Sequence, residues 1–265
     1  MTGGNHMGTI LSLSSPTNIF EWMAFLAKKY SNMFLQGTWI TLYVSVIGTI
    51  VGFILGYIVG IVGDIKIHKE DNPIKKGIIK FFKFICFLYV ELFRGTPMIV
   101  QAVFIYYGMA QLFNIQLGMW TSAFLVVSIN TDAYMAESVR GGIISVDIGQ
   151  TEGAKAIGMT HFQTMCYVIL PQAFRNIMPQ IGNNLIINIK DTSVLSIIAI
   201  VDLFFVHKSV AGALYTYFES ATIVMAIYLT MTVTASRLLR LWEKKLDGSD
   251  TYEMADSMDI GNQMR

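Results

Sequence analysis

Asn184, Asn188 and Asp191 recur at spacings of four and three inside an otherwise apolar run, "NNLIINIKDTS". That spacing puts all three on one helical stripe. Thr192 extends the stripe, and Asn183 and Lys190 lie beside it. Amides, a hydroxyl, a carboxylate and an ammonium in such a run can bind a polar solute. A charge within a membrane span costs about 2.5–3.5 kcal/mol on the gentlest scale, so such groups face a bundle interior or a cavity. Two readings stay open: Lys190 and Asp191 neutralise each other or other residues as a structural clasp, or they meet the solute. Upstream, "SINTDAYMAESVRGG" places Asp132 inside an apolar run, with Glu137 and Arg140 toward its end. Interface charges are tolerated, so Glu137 and Arg140 read as structural.

Catalytic chemistry has no foothold. There is no GxxxxGK[ST] loop to cradle phosphates, and HExxH, CxxC and GxSxG are all absent. His6, His68, His161 and His207 share no ligand spacing. Cys86 and Cys166 lie 80 residues apart in apolar contexts and read as small hydrophobes. No metal site and no catalytic residue is expected.

The elements that must carry these residues are membrane elements. The chain is 54% hydrophobic and 14% charged, with mean hydropathy +0.53. Those values suit a polytopic all-α membrane protein. Trp39 to Val62 is 24 residues without a charge, enough to cross roughly 30 Å of hydrocarbon. Its Gly48, Gly52, Gly56 and Gly60 form a small-residue stripe for close helix packing. Further spans are expected at about 97–113, 119–136, 181–205 and 221–239. Residues 64–83 carry six lysines and read as a polar loop entering an amphipathic approach.

Residues 1–16 lack the basic start and apolar core of a secretory signal and read as a disordered or appended tail. Residues 17–35 read as an interfacial helix, 36–246 as the transmembrane domain and 247–265 as a disordered tail. Fourteen of the 19 basic residues fall in loops one and three plus the C-terminal segment. The positive-inside rule then gives about five spans, the N-terminus outside and the C-terminus in the cytoplasm.

Two breaks stand out. In "ELFRGTPMIVQ", Gly95 can end one helix in a left-handed conformation. Thr96 can then cap the next, with Pro97 at its first position. The product is a gate-like pair of half-helices lining a path, or a plain turn at the interface. In "TEGAKAIGMTHFQTMCYVILP", a short helix from Ile148 to Ile157 has Gly153, Ala154 and Ala156 on a flat side, with Glu152 and Lys155 polar. Gly158 supplies a stop, Thr160 caps a second helix from His161 to Leu170, and Pro171 begins re-entry to the bilayer.

That last stretch resembles the EAA loop of the importer permeases powered by ATP-binding cassettes. It carries Glu152-Gly153-Ala154, then Gly158, then Val168-Ile169-Leu170-Pro171 in the family's order. Gly153 stands where the family has Ala, and Val168 where it has Ile. "ELFRGTP", "AYMAE" with "RGG", "LPQAFRN" and "KDTS" look like the polar amino-acid branch, the histidine and glutamine permease type.

The resemblance implies a cytoplasmic coupling helix that docks on an ATPase through Glu152, Gly153, Ala154, Lys155 and Gly158. It implies a second permease subunit, identical or paralogous, a pair of ATPase subunits and an extracytoplasmic solute-binding protein. ATP and magnesium would sit on the ATPase, with no cofactor in this chain, which is itself no enzyme. The place implied is the bacterial cytoplasmic membrane. A zwitterionic amino acid would find Lys190 or Arg94 for its carboxylate and Asp191 or Asp132 for its amine. Asn184, Asn188 and Thr192 would add hydrogen bonds. The alternatives are an ion-coupled secondary transporter or channel, or a membrane scaffold without transport.

Overall fold

The computed structural model describes residues 16, 18–65, 67 and 72–246, and these form helices joined by short turns. The tails expected at 1–16 (Pro16 apart) and 247–265 lie outside the described residues, as do Lys66 and Lys69.

Helix α1, Ile19–Lys29, ends at Tyr30, and α2, Ser31–Asp64, follows at once. The expected interfacial helix over 17–35 therefore stops at Lys29, and Ser31 to Leu35 open α2. Helix α3, Pro73–Gly95, starts within the segment expected as a polar loop entering an amphipathic approach. Lysine is a good helix former, so the run does not oppose it. Asn72 accepts a hydrogen bond from the Ile74 amide at 3.0 Å, and Pro73 takes a first-turn position where a missing N–H costs nothing.

Helix α4, Met98–Phe113, contains a π-helical turn at Phe104–Gly108 and stops at left-handed Asn114. Helix α5 is Met119–Ile144, and α6 is the short Ile148–Ala156. Helix α7 runs from His161 to Ile198 and tightens into a 3₁₀ segment at Thr192–Ile198. Ala199 is left-handed at φ 63°, and Asp202 caps α8, Leu203–Leu214, by accepting from the Phe204 and Phe205 amides at 3.1 and 3.0 Å. The single span expected over 181–205 is thus two helices bent by 55°. Helix α9 is Tyr217–Leu246.

By length and composition, Ser31–Asp64 and Tyr217–Glu243 can each cross a membrane, and the bent α7–α8 pair is a third candidate.

The chain divides into two compact units. Among the described residues, the first takes those within 16–48, 97–127 and 188–231, and the second those within 49–96, 128–187 and 232–246. In the first unit Val44, Met98, Ala102, Ala123, Val126, Leu195 and Ile198 form the core. The Thr41 hydroxyl accepts from the buried Leu203 amide at 3.2 Å, and a Cβ on Gly37 would stand 2.9 Å from the Leu203 backbone.

In the second unit Val139, Ile143, Ile169, Ala173 and Ile177 form the core. There the glycine stripe of α2 meets α5. A Cβ on Gly52 would lie 2.5 Å from Thr131, on Gly56 2.6 Å from Met135, and on Gly60 2.7 Å from the Ala136 carbonyl. Only glycine permits this approach.

Candidate functional site

The coupling segment is a capped, tethered element. Asp147 accepts from the Gly149 amide at 2.6 Å and starts α6, a cap just outside the helix expected from Ile148 to Ile157. An Asp directly before a helical pattern is the signal that could have found it. Helix α6 ends at Ala156, and Gly158 takes φ +84°, the left-handed stop expected of it. Thr160 then opens α7 with a reciprocal capping box. Its hydroxyl accepts from the Gln163 amide at 3.3 Å, and Gln163 Oε1 accepts from the Thr160 amide at 2.9 Å.

The helix begun at His161 does not end at Leu170. A π-helical turn at Met165–Ile169 precedes Pro171, and α7 continues without a break. The extra residue in that turn relieves the clash a proline ring makes with the carbonyl four residues back. Re-entry at Pro171 is therefore a continuation of one helix.

Two hydrogen bonds tie this segment to α7: Gln172 Nε2 donates to Gln150 Oε1 at 3.2 Å, and Asn176 Nδ2 donates to Ser145 Oγ at 2.8 Å. The small residues do not form one flat face. Ala154 is buried against the unit, while Gly153 and Ala156 are exposed with Glu152 and Lys155. The outward surface carries Ile148 and Ile157, 73% and 80% exposed, with Phe162 beside them in sequence after the stop. Such a surface of apolar residues at a rigid helix suits a protein partner. Beneath it, a cavity of about 480 Å³ is lined in part by Asp64, Ile143, Lys155, His161 and Met165.

The break after α3 differs from expectation. Gly95 is not left-handed, and Thr96 and Pro97 are both extended, with ψ 143° and 139°. Proline drives the preceding residue out of the α region, which accounts for Thr96. The Thr96 hydroxyl turns back to donate to the Leu92 carbonyl at 2.8 Å, so it closes α3 instead of capping α4. Pro97 occupies the N-cap of α4, one place earlier than expected.

The polar candidates separate between the units. In the second, Arg94 lies 4.0 Å from Glu137 and over the Tyr134 ring at 5.7 Å. Glu137 also pairs with Arg140, whose Nε donates at 3.3 Å. The Arg140 hydrogen bond, aided by its charge and that of Arg94, holds the Glu137 carboxyl below its ordinary value. Asp132 is buried and accepts from the Tyr89 hydroxyl at 2.6 Å, while its other oxygen has no partner among the described residues. Asn184 is buried and donates to the Gln180 carbonyl at 3.1 Å.

In the first unit, Asn188 and Thr192 are buried, and Thr192 donates to the Ile189 carbonyl at 3.1 Å. The stripe thus faces protein. Lys190 is exposed and Asp191 half-buried, and no ion pair joins them among the described residues. Adjacent helical residues do not face each other, so the two form no direct ion pair. Lys190 lines a mainly apolar cavity of about 330 Å³ with Ser193, Phe204, His207, Met225 and Tyr228. His207, bonded through Nδ1 to Ser220 Oγ at 3.0 Å, is a neighbour that sequence spacing did not bring to Lys190.

A family model described as "Binding-protein-dependent transport system inner membrane component" matches residues 78–248. The glutamine transport system permease protein of Escherichia coli K12 is 31% identical over 233 residues, 86% of this chain and 98% of that protein. The arginine transport system permease protein of Bacillus subtilis is 34% identical over 169 residues, 64% of this chain and 77% of its own length. A crystal structure of an amino acid ABC transporter with histidines has a chain 34% identical, with TM-score 0.75, covering 87% of this chain and all of that one. The methionine transporter in an inward-facing form, 17% identical with TM-score 0.62, shares the fold.

Proposed function

This chain belongs to the family of binding-protein-dependent transport system inner membrane components, and from that premise we propose that it is the permease subunit of an ATP-driven importer of a polar amino acid. The observation that carries the reading is the capped element from Asp147 to Gln163, which sits within the matched region and has no task in a transporter that works alone. The ion-coupled reading leaves it idle, and firm partner association without solute flux would favour the scaffold reading instead.

In this reading a separate ATPase pair receives α6 through Glu152, Gly153, Lys155 and the exposed Ile148 and Ile157. Ala154, buried in its own unit, holds the helix from behind, and Gly158 sets the angle at which it is presented. ATP and magnesium belong to that pair. A second permease subunit and an external solute-binding protein complete the assembly in a bacterial cytoplasmic membrane. The chain crosses the membrane about five times, with its N-terminus outside and α6 in the cytoplasm. Closure of the ATPase pair moves its groove, and the Gln150–Gln172 and Ser145–Asn176 bonds carry that motion into α7 without slack.

For the solute, Lys190 is the better-placed cation for a carboxylate. Arg94 is already engaged by Glu137 and Tyr134, whereas Lys190 opens on a cavity. Asp191 offers the matching charge for the amine, since Asp132 is held by Tyr89. Thr96 and Pro97 keep α3 and α4 as separate helices, a hinge rather than a rigid span.

Purifying the chain with its native associates tests the proposal. A co-purifying P-loop ATPase and ATP-dependent amino-acid uptake are expected. Ion-driven uptake by the chain alone would contradict it.

A further inference from the structure

A second polar group shares the cavity on which Lys190 opens. His207 lines it, and Nδ1 of that ring stands 3.0 Å from the Ser220 hydroxyl. Ser220 is fully buried, and its hydroxyl has no other hydrogen-bond partner among the described residues. Were Nδ1 to donate to Ser220, the serine proton would be buried without an acceptor, at a cost in free energy. The serine hydroxyl therefore donates to Nδ1, and the ring proton sits on Nε2. Nε2 makes no hydrogen bond among the described residues. Packing fixes the ring as well, with the Phe204 ring centroid 5.5 Å away. The result is an oriented N–H donor without an acceptor, on a cavity of about 330 Å³.

The charge around that donor is one-sided. Lys190 lines the cavity, and no carboxylate lines it among the described residues. Asp202 lies behind Tyr228, fully buried, and already accepts from the Phe204 and Phe205 amides. Phe204, Val224 and Met225 make most of the remaining wall apolar. A cationic side chain entering here would lose its hydration beside the Lys190 ammonium with no counter-charge. A carboxylate side chain would exchange its hydration for one neutral donor once Lys190 holds the α-carboxylate. An uncharged side chain ending in a carbonyl gains the Nε2 hydrogen bond and strands no charge. The Ser193 hydroxyl on the same cavity can accept from the N–H of a carboxamide.

We propose that His207 is a specificity-determining residue of the solute site, selecting amino acids with a carboxamide side chain over those with a cationic one. Its Nε2–H donates to the side-chain carbonyl, and Ser220 is the positioning residue that keeps the proton on that nitrogen. The proposal rests on the placement of the solute carboxylate at Lys190 given above.

The test measures equilibrium binding of labelled glutamine, norvaline and lysine to the assembled complex in nanodiscs, with the solute-binding protein left out. Norvaline has a methyl where glutamine has its carboxamide. Glutamine should bind more tightly than either of the others. His207→Leu with Ser220→Ala, which strands no serine proton, should weaken glutamine by about tenfold and leave norvaline unchanged. His207→Gln, which restores an N–H donor, should recover the preference, and His207→Glu should admit lysine. No binding of glutamine, or lysine bound as tightly as glutamine by the native complex, overturns the proposal. So does an equal loss of glutamine and norvaline in the double variant, which would make His207 a packing residue. A His207-dependent preference in a complex that shows no ATP-driven uptake would defeat the importer reading and leave this one standing. ATP-driven uptake with a preference that ignores His207 would defeat this one alone.

Discussion

Gly158 at φ +84° has open space around its missing Cβ, so the demand for glycine there is conformational and not steric. Any other residue is strained by about 1–3 kcal/mol. Gly158→Asp should tilt α6 and cut solute-stimulated ATP hydrolysis, measured on the reconstituted complex. Glu152→Lys, exposed and without such strain, should reduce the same stimulation while leaving the melting temperature unchanged. Gly153 poses the opposite case, since its backbone is helical and a Cβ would meet nothing within 4 Å. Gly153→Ala should stabilise α6 by roughly 0.5–1 kcal/mol, and thermal unfolding of the purified complex reads the gain. The residue that departs from the family's alanine is therefore a tolerated exchange within this chain.

Glu137 responds to pH in a stated direction. Its folded value is lowered by Arg140, so the stability it lends is present above the unfolded value of about 4.3 and is lost as pH falls through the lower folded value. Solvent screens this part-exposed pair, so the effect is small. The stability difference between the native protein and Glu137→Gln should shrink below about pH 4.

At the scale of elements, the contact of α2 with α5 is the feature a single change breaks most directly. Gly56→Ala would press a methyl against Met135 Cβ and the Asp132 carbonyl, 2.6 and 2.7 Å away. Neither can yield without moving backbone. Overpacking of this kind costs about 1–3 kcal/mol, seen as a lower melting temperature and reduced assembly. Gly63→Ala, with nothing nearby, is the control and should be neutral.

The glycine stripe was legible in the sequence because a fixed spacing encodes a helix face. The caps at Gly158 and Thr160 were legible because single residues encode them. Where several local rules compete, sequence was a poorer guide. Residues 64–83 read by charge as a polar loop entering an amphipathic approach, yet Asn72, Pro73 and lysine's own helix propensity start α3 within them. Pro171 looks like a helix start, yet a π-helical turn absorbs it. The bend at Ala199–Asp202 was hidden because an apolar run reads as one span. Only the Asp202 cap marks the new helix.

For the molecule as a whole, the polar residues of the apolar runs are less uniform than their spacing implied. Asn184, Asn188 and Thr192 are committed inward, Asp132 is held by Tyr89, and Lys190 is left open to a cavity. Asp191→Asn and Lys190→Gln should each raise the half-saturating solute concentration, with complex assembly unchanged. Impaired assembly at unchanged solute affinity would remove these two residues from the solute site. The central claim is that α6 converts ATP hydrolysis on a partner into amino-acid movement through this chain. It is tested most directly by filling vesicles containing the assembled complex with ATP, adding the binding protein loaded with labelled amino acid outside, and recording uptake. The account predicts uptake that requires ATP and is lost in Gly158→Asp, where only basal, solute-independent ATP hydrolysis persists. Uptake of equal rate without ATP, or in that variant, would contradict it.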